Sequence, residues 1–358
     1  MDKLQPRAGV LRMKEYHPPL GDRSGLRLDF NENTLACSSK VREVLAAIST
    51  AELTKYPERA PVEALVAKQH GLRPEEVLLT NGVDEAIHVL CQTYLNPGDA
   101  LLLPVPTYSM YEVYGSSAEA RVDRVQAGEN FGFPLDALIG AITPQTRLIA
   151  IANPNSPTGQ TVIREQILQV LEAAPHAAVL IDEAYFHFFG ETVMDLVGKA
   201  PNLIVARTFS KAFGLAGLRL GMLAASVEQM QWLRRVISPY SVNSLGLACL
   251  PPALEDTAYL DWYVAEVNAA RLLFEEALDR HGITRWPSRA NFVLTRIGVQ
   301  HRRFVEEMRE RNVLVRDRSS DPGCEGCVRI TIGTHEQTLD AVRALEETLA
   351  EIGWKGKR

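Results

Sequence analysis

One pattern, recurring between about residues 45 and 250, restricts this chain to few architectures. A short, wholly apolar run stops at a polar or Gly/Pro cluster, and a helical stretch follows. It occurs at EVLLTNGVDEAIHVLCQTYL (76–95), ALLLPVPTYSMYEVYG (100–115) and RLIAIANPNSPTGQ (147–160), the last followed by REQILQVLEAA (164–174). AAVLIDEAYFHF (177–188) and NLIVARTFSKAFG (202–214) complete the series. Strands that alternate apolar with polar residues bury one face, whereas uniformly apolar strands bury both. Alternation with helices then predicts an α/β domain whose mostly parallel sheet is flanked by helices. In such sheets ligands bind beyond the carboxyl ends of the strands, so TNGVDE, PTY, NPNSPTG, DEAY and TFSK should share one rim.

The style changes near residue 250. CLPPALED (249–256) reads as a proline break, and TAYLDWYVAEVNAARLLFEEALDRHG (257–282) as a long helix with a glycine stop. Two short strands, NFVLTRI (291–297) and CVRITIG (327–333), flank a helix at 302–311, and a last helix spans 335–353. The expected layout is an arm over 1–25, a large domain over 26–255 and a smaller α+β domain over 256–358. A chain of 358 residues suits that division.

With 38 basic and 44 acidic residues, net charge is −6, which argues against nucleic acid as partner. The apolar runs are far shorter than the ~20 residues of a membrane helix, and MDKLQPRAGV lacks a signal-peptide core. Five cysteines suggest no disulfide framework, and a cytoplasmic location is the simplest expectation.

The chemistry is expected on the rim. Asp182 follows a buried strand directly, so its carboxylate needs a cation or donors to stay ionised. Asn155 lies between two prolines and a glycine, which aim its amide. Lys211 follows Thr208 and Ser210 and precedes the Gly-rich GLAGLRLG with Arg219. Hydroxyls and a guanidinium suit a phosphate monoester. Gly82, Val83 and Asp84 open a helix whose free N–H groups suit the same anion. An amine, a phosphate cradle, a carboxylate for a ring nitrogen and an amide donor together match pyridoxal 5'-phosphate.

These segments, with KYPE, RANFVL and VRITIGT, resemble the fold-type I pyridoxal-phosphate aminotransferases of classes I and II. Among them the chain is most similar to the histidinol-phosphate aminotransferase group. The resemblance spans nearly the whole chain and implies an aspartate-aminotransferase-like fold. It makes Lys211 the Schiff-base lysine, Asp182 the partner of the pyridine nitrogen, and Asn155 with Tyr185 the pair on the ring hydroxyl. Tyr108 would stack on the ring. Thr208, Ser210 and Arg219, with backbone near Gly82, Val83 and Asp84, would hold the phosphate. Tyr56 would reach the cofactor phosphate of a neighbouring subunit, implying a homodimer with shared active sites. Arg329 matches the arginine on the substrate carboxylate and Arg316 the one on a substrate phosphate, with Arg318 as an alternative. Tyr16 and Asn33 would border the substrate, although NENTLACSSK (31–40) lacks two prolines of the family pattern.

The implied reaction is transamination between histidinol phosphate and 2-oxoglutarate, in histidine biosynthesis. An aromatic amino-acid aminotransferase and a threonine-phosphate decarboxylase are the alternatives. No metal site is expected: the histidines are not grouped, and CEGC (324–327) offers two ligands without a second pair.

Overall fold

The computed structural model describes residues 4–15 and 23–356. In chain order, β1 (Leu26–Arg27) is followed by β2 (Val77–Asn81), β3 (Ala100–Val105), β4 (Arg121–Gln126) and β5 (Thr146–Ala152). Next come β6 (Ala178–Asp182), β7 (Leu203–Thr208) and β8 (Leu220–Ala225). The C-terminal part adds β9 (Thr284–Arg285), β10 (Phe292–Arg296), β11 (Val313–Leu314), β12 (Arg316–Asp317) and β13 (Cys327–Thr331).

A seven-stranded sheet has the order β2-β8-β7-β6-β5-β3-β4. Only β8 is antiparallel to its neighbours, so the other six strands point one way. Their carboxyl ends, and the start of β8, therefore meet on a single rim. Leu203, Ile204 and Val205 of β7 are fully buried, as are Leu101 and Leu102 of β3. Each such side chain contributes about 1.5–3 kcal/mol over an exposed one. Edge strand β4, RVDRVQ, does not read as a strand in the sequence because its outward residues are charged and part-exposed. Strand β8 hides inside a stretch that looks like a glycine-rich turn.

The smaller sheet, β12-β13-β10-β9, is antiparallel throughout. The helices Thr257–Arg280 and His335–Glu351 cover it through Tyr263, Val267, Phe274 and Leu345. That core also takes in Leu28, Tyr185, Phe188 and Ala212, so residues from the rim are packed into the C-terminal layer. Strand β1 pairs with β11, which ties residues 26–27 to that layer too. The described part of the arm carries a short helix, Ala8–Arg12, and Arg7 bonds the Ser117 carbonyl of the helix Met110–Ser117.

The expected proline break is not one. Pro251 and Pro252 lie inside the helix Ser244–Glu255, which ends instead at Asp256, the N-cap of the next helix. The missing N–H groups remove ladder bonds, but Leu247, Leu250 and Leu254 are buried against the large sheet and hold the segment helical.

Two contacts fix the rim. Arg207 of β7 donates from Nε and Nη2 to Glu183 Oε2 at 2.9 and 2.8 Å, just beyond the end of β6. The other carboxylate oxygen, Oε1, accepts from Val193 N–H at 2.9 Å and from Thr192 Oγ1 at 2.8 Å. Phe186 stacks under the guanidinium at 3.6 Å. Both ions are buried, so each depends on the other for its solvation. The second contact is between Gly221 of β8 and the Gly82 turn: a Cβ at 221 would lie 2.6 Å from the Gly82 carbonyl carbon and 2.7 Å from Val83 N.

Arg207→Met strands a buried carboxylate and should cost about 3–5 kcal/mol in urea unfolding. Gly221→Ala pushes two backbones apart and should cost about 1–3 kcal/mol by the same measurement.

Candidate active site

Beyond the carboxyl ends of β2, β6 and β7 lies a cavity of about 460 Å³. Lys211 stands on its wall, three residues past the end of β7, and its Nζ donates to the Phe30 carbonyl at 2.9 Å. Asp182, the last residue of β6, is 4% exposed. Its Oδ2 accepts from the Tyr111 hydroxyl at 2.6 Å and its Oδ1 from Ala184 N–H at 3.1 Å. Burial pushes this carboxyl up to about 6, with the Tyr111 and Ala184 donors opposing the shift. Tyr185 also lines the cavity, and its hydroxyl accepts from Asn31 Nδ2 at 2.9 Å.

Thr208, Ser210, Arg219, Val83 and Asp84 converge on the same cavity. Helix Gly82–Tyr94 starts there without a side-chain cap from Asn81, which leaves its first-turn N–H groups for an anion. Gly82 has φ +75°, and a Cβ there would lie 2.5 Å from Arg219 Nη2; the cradle needs a glycine. Arg219 Nη2 donates to Asp84 Oδ2 at 2.9 Å, and the Tyr108 hydroxyl donates to Asp84 Oδ1 at 2.7 Å. Tyr108 is thereby fastened beside the cavity, edge-on to Tyr111 with ring centroids 5.8 Å apart.

Other sequence candidates sit elsewhere. Asn155 is aimed, but not into the cavity. Its Nδ2 donates to the Pro106 carbonyl at 2.9 Å and to Thr158 Oγ1 at 2.8 Å, and its Oδ1 accepts from Thr107 at 3.0 Å. The amide is used up in holding two loops together, and neighbouring Ser156 lines the cavity instead. Asn33 likewise spends its Nδ2 on the Ala212 carbonyl at 3.2 Å and on Tyr259 at 3.0 Å, bracing the loop after Lys211. Tyr56 is 78% exposed and stacked on Tyr240, away from this cavity. Tyr16 lies outside the described residues.

Arg329, on β13, is buried beside the cavity. Its Nη1 donates to Ser156 Oγ at 3.0 Å and its Nη2 to the Asp29 carbonyl at 2.8 Å, while Nε is buried without a hydrogen-bond partner among the described residues. Burial, together with Arg318 and Arg316, draws this guanidinium down to about 10. Arg316 is its direct cross-strand neighbour on β12. Arg318 is held by Asp321.

Sequence reasoning missed Tyr111, Ser156 and Arg23. Tyr111 reads as one more apolar residue on a helix, and Ser156 as spacing between prolines. Arg23 lines the cavity with its guanidinium 4.2 Å from the Phe30 ring centre, bonded to Asp29 Oδ1 at 2.8 Å, and no motif marks it. Cys324 and Cys327 are buried with Phe131, Trp286 and Leu294 in a small apolar cluster.

The donor set fits a phosphorylated pyridine aldehyde. There is an amine for the aldehyde, a buried carboxylate short of a cation, a phenol beside it, and an uncapped helix start with a guanidinium and two hydroxyls. Residues 23–345 match the family described as aminotransferase class I and II. The histidinol-phosphate aminotransferase of Thermoanaerobacter pseudethanolicus is 32% identical over 90% of this chain and 93% of that protein. The Sinorhizobium meliloti histidinol-phosphate aminotransferase, solved with pyridoxal-5'-phosphate, superposes with TM-score 0.90 at 20% identity, covering 98% of this chain and 99% of that one. L-threonine-O-3-phosphate decarboxylase from Porphyromonas gingivalis gives TM-score 0.80 at 26% identity, over 91% of this chain and 99% of that one. The fold is therefore that of fold-type I enzymes, and the chain belongs to the class I and II aminotransferases.

Proposed function

We propose that this aminotransferase uses pyridoxal 5'-phosphate to move the amino group of histidinol phosphate to 2-oxoglutarate, a step of histidine biosynthesis. The observation that carries the substrate reading is the register of β12 and β13. Arg316 and Arg329 face each other directly across the strands, with Arg318 two residues on. Arg318, Arg329 and Arg316 all favour the charged form of part-buried Asp321, so this corner of the small sheet is a basic cluster suited to anionic groups. A substrate with one anionic group for Arg329 and a phosphate for Arg316 or Arg318 suits such a cluster. The names of the curated relatives agree with the reading. Tyr56 supports a homodimer, since its exposed ring is available to the cofactor phosphate of a second copy. A cytoplasmic location is in keeping with this role; no helix among the described residues is long and apolar enough to cross a membrane.

When bound, the cofactor supplies an aldehyde for amines and a pyridinium ring that takes up electrons from the broken Cα–H bond. Lys211 Nζ would hold the cofactor aldehyde and is the amine placed to carry a proton to and from the substrate Cα. Asp182 supplies the fixed negative charge for the ring nitrogen. Tyr185, together with Asn155, would meet the ring hydroxyl, the Asn155 amide being held here by Pro106 and Thr158. Arg219, Thr208, Ser210 and the N–H groups of Val83 and Asp84 would retain the phosphate. Tyr108 borders the ring.

Lys211→Ala should abolish transamination together with the visible absorption of the lysine-bound cofactor; an unchanged band would overturn the assignment. Arg316→Ala should raise KM for histidinol phosphate roughly 10- to 100-fold, as expected for loss of a charge-assisted hydrogen bond, and leave phenylalanine little affected. Equal effects on both substrates would remove the phosphate role. Carbon dioxide release from threonine phosphate, measured alongside, would favour the decarboxylase.

A further inference from the structure

We infer that Tyr111 is a positioning residue whose hydroxyl keeps Asp182 in its charged form for the ring nitrogen of the cofactor. The inference rests on the reading that Asp182 meets that nitrogen.

Asp182 is buried and, among the described residues, forms no ion pair; two donors alone reach its carboxylate, Tyr111 Oη at 2.6 Å and Ala184 N–H at 3.1 Å. The charged groups facing it work against ionisation. Asp84 and Glu183 are both acidic and both raise its proton affinity, although Glu183 is itself satisfied by Arg207. Tyr108 and Tyr185 lie near Tyr111 and contribute no positive charge. The Tyr111 bond is thus the shorter of two interactions that favour the anion.

Tyr111 is suited to donate throughout the working range. Its ring is fully buried, and burial with Asp182 alongside holds its own ionisation far above the ordinary phenol value. The hydroxyl therefore remains a donor wherever the enzyme operates. Without it, Asp182 keeps one backbone donor, and its protonation moves from about 6 into the neutral range. A protonated carboxyl cannot pair with a pyridinium. A purely structural tyrosine would act through its ring, which packs edge-on to Tyr108. Phenylalanine keeps that ring, so the hydroxyl is separable from packing.

The test is the pH dependence of cofactor affinity, measured by spectroscopic titration of the apo-protein. Two probes are used: pyridoxal 5'-phosphate and an analogue with CH in place of the ring nitrogen. In the wild-type protein, affinity for pyridoxal 5'-phosphate should fall by about tenfold per pH unit as pH drops below about 6, where Asp182 takes up a proton. In Tyr111→Phe the same limb should move upward by about one to two pH units, while the analogue binds both proteins alike. A limb that stays in place in the folded variant overturns the inference, as does equal weakening of both probes. Fluorotyrosine at 111 keeps the shape and strengthens the donor, so it should move the limb down, and it serves if Tyr111→Phe does not fold. Asp182→Asn separates the two levels: if it leaves pyridoxal 5'-phosphate affinity unchanged, the reading of Asp182 fails; if affinity falls but Tyr111→Phe shifts nothing, only the role of Tyr111 fails.

Discussion

The buried Glu183–Arg207 pair joins the turn after β6 to the body of β7, and the chemistry hangs on either side of it. Asp182 immediately precedes Glu183, and Thr208 immediately follows Arg207. A shift of either strand would therefore separate a carboxylate from a phosphate ligand that must address the same small molecule. The pair is costly to desolvate and would be a weak way to gain stability alone. Its geometry is what makes it useful: Thr192 and Val193 complete the carboxylate, Phe186 covers the guanidinium, and little freedom remains.

A second constraint comes from the shared C-terminal core. Tyr185 and Ala212, from the rim, are buried with Phe292, Val328 and Ile330 of the small sheet. Leu28 joins them, and the Lys211 amine bonds the carbonyl two residues further on, at Phe30. The cavity is thus bounded on one side by strand ends and on the other by a segment that belongs structurally to the C-terminal layer. Relative movement of the two layers would change the cavity directly.

Much of this arrangement was legible in the sequence, for a physical reason. Runs such as AVLI and LIVA are apolar on both faces, so their ends had to fall on one rim, and Asp182, Thr208, Ser210, Lys211 and Arg219 were found from that position and from the chemistry of their side chains. What escaped reading depends on direction rather than order. Asn155 and Ser156 are adjacent, yet one turns to a loop carbonyl and two threonine hydroxyls and the other lines the cavity; local hydrogen-bond competition decides between them. Tyr111 shares a helix with core residues and differs only in what its hydroxyl meets. Glu183 and Arg207 are partners far apart in the chain, and charged residues at strand ends do not announce whom they face. Pro251 and Pro252 misled because burial of the surrounding leucines outweighs the lost backbone bonds.

The opposition of Arg316 and Arg329 across β12 and β13 has a bearing on how the protein behaves in a test tube. Each guanidinium raises the electrostatic cost of the other, and the Asp321 carboxylate, which both favour in its charged form, offsets part of that cost. Any anion that enters lowers the free energy of the folded chain but not of the unfolded one, so stability becomes linked to solution anions by mass action. Sulfate or phosphate that bound there would act as a ligand, and melting temperatures taken in different buffers would then describe different states of occupancy.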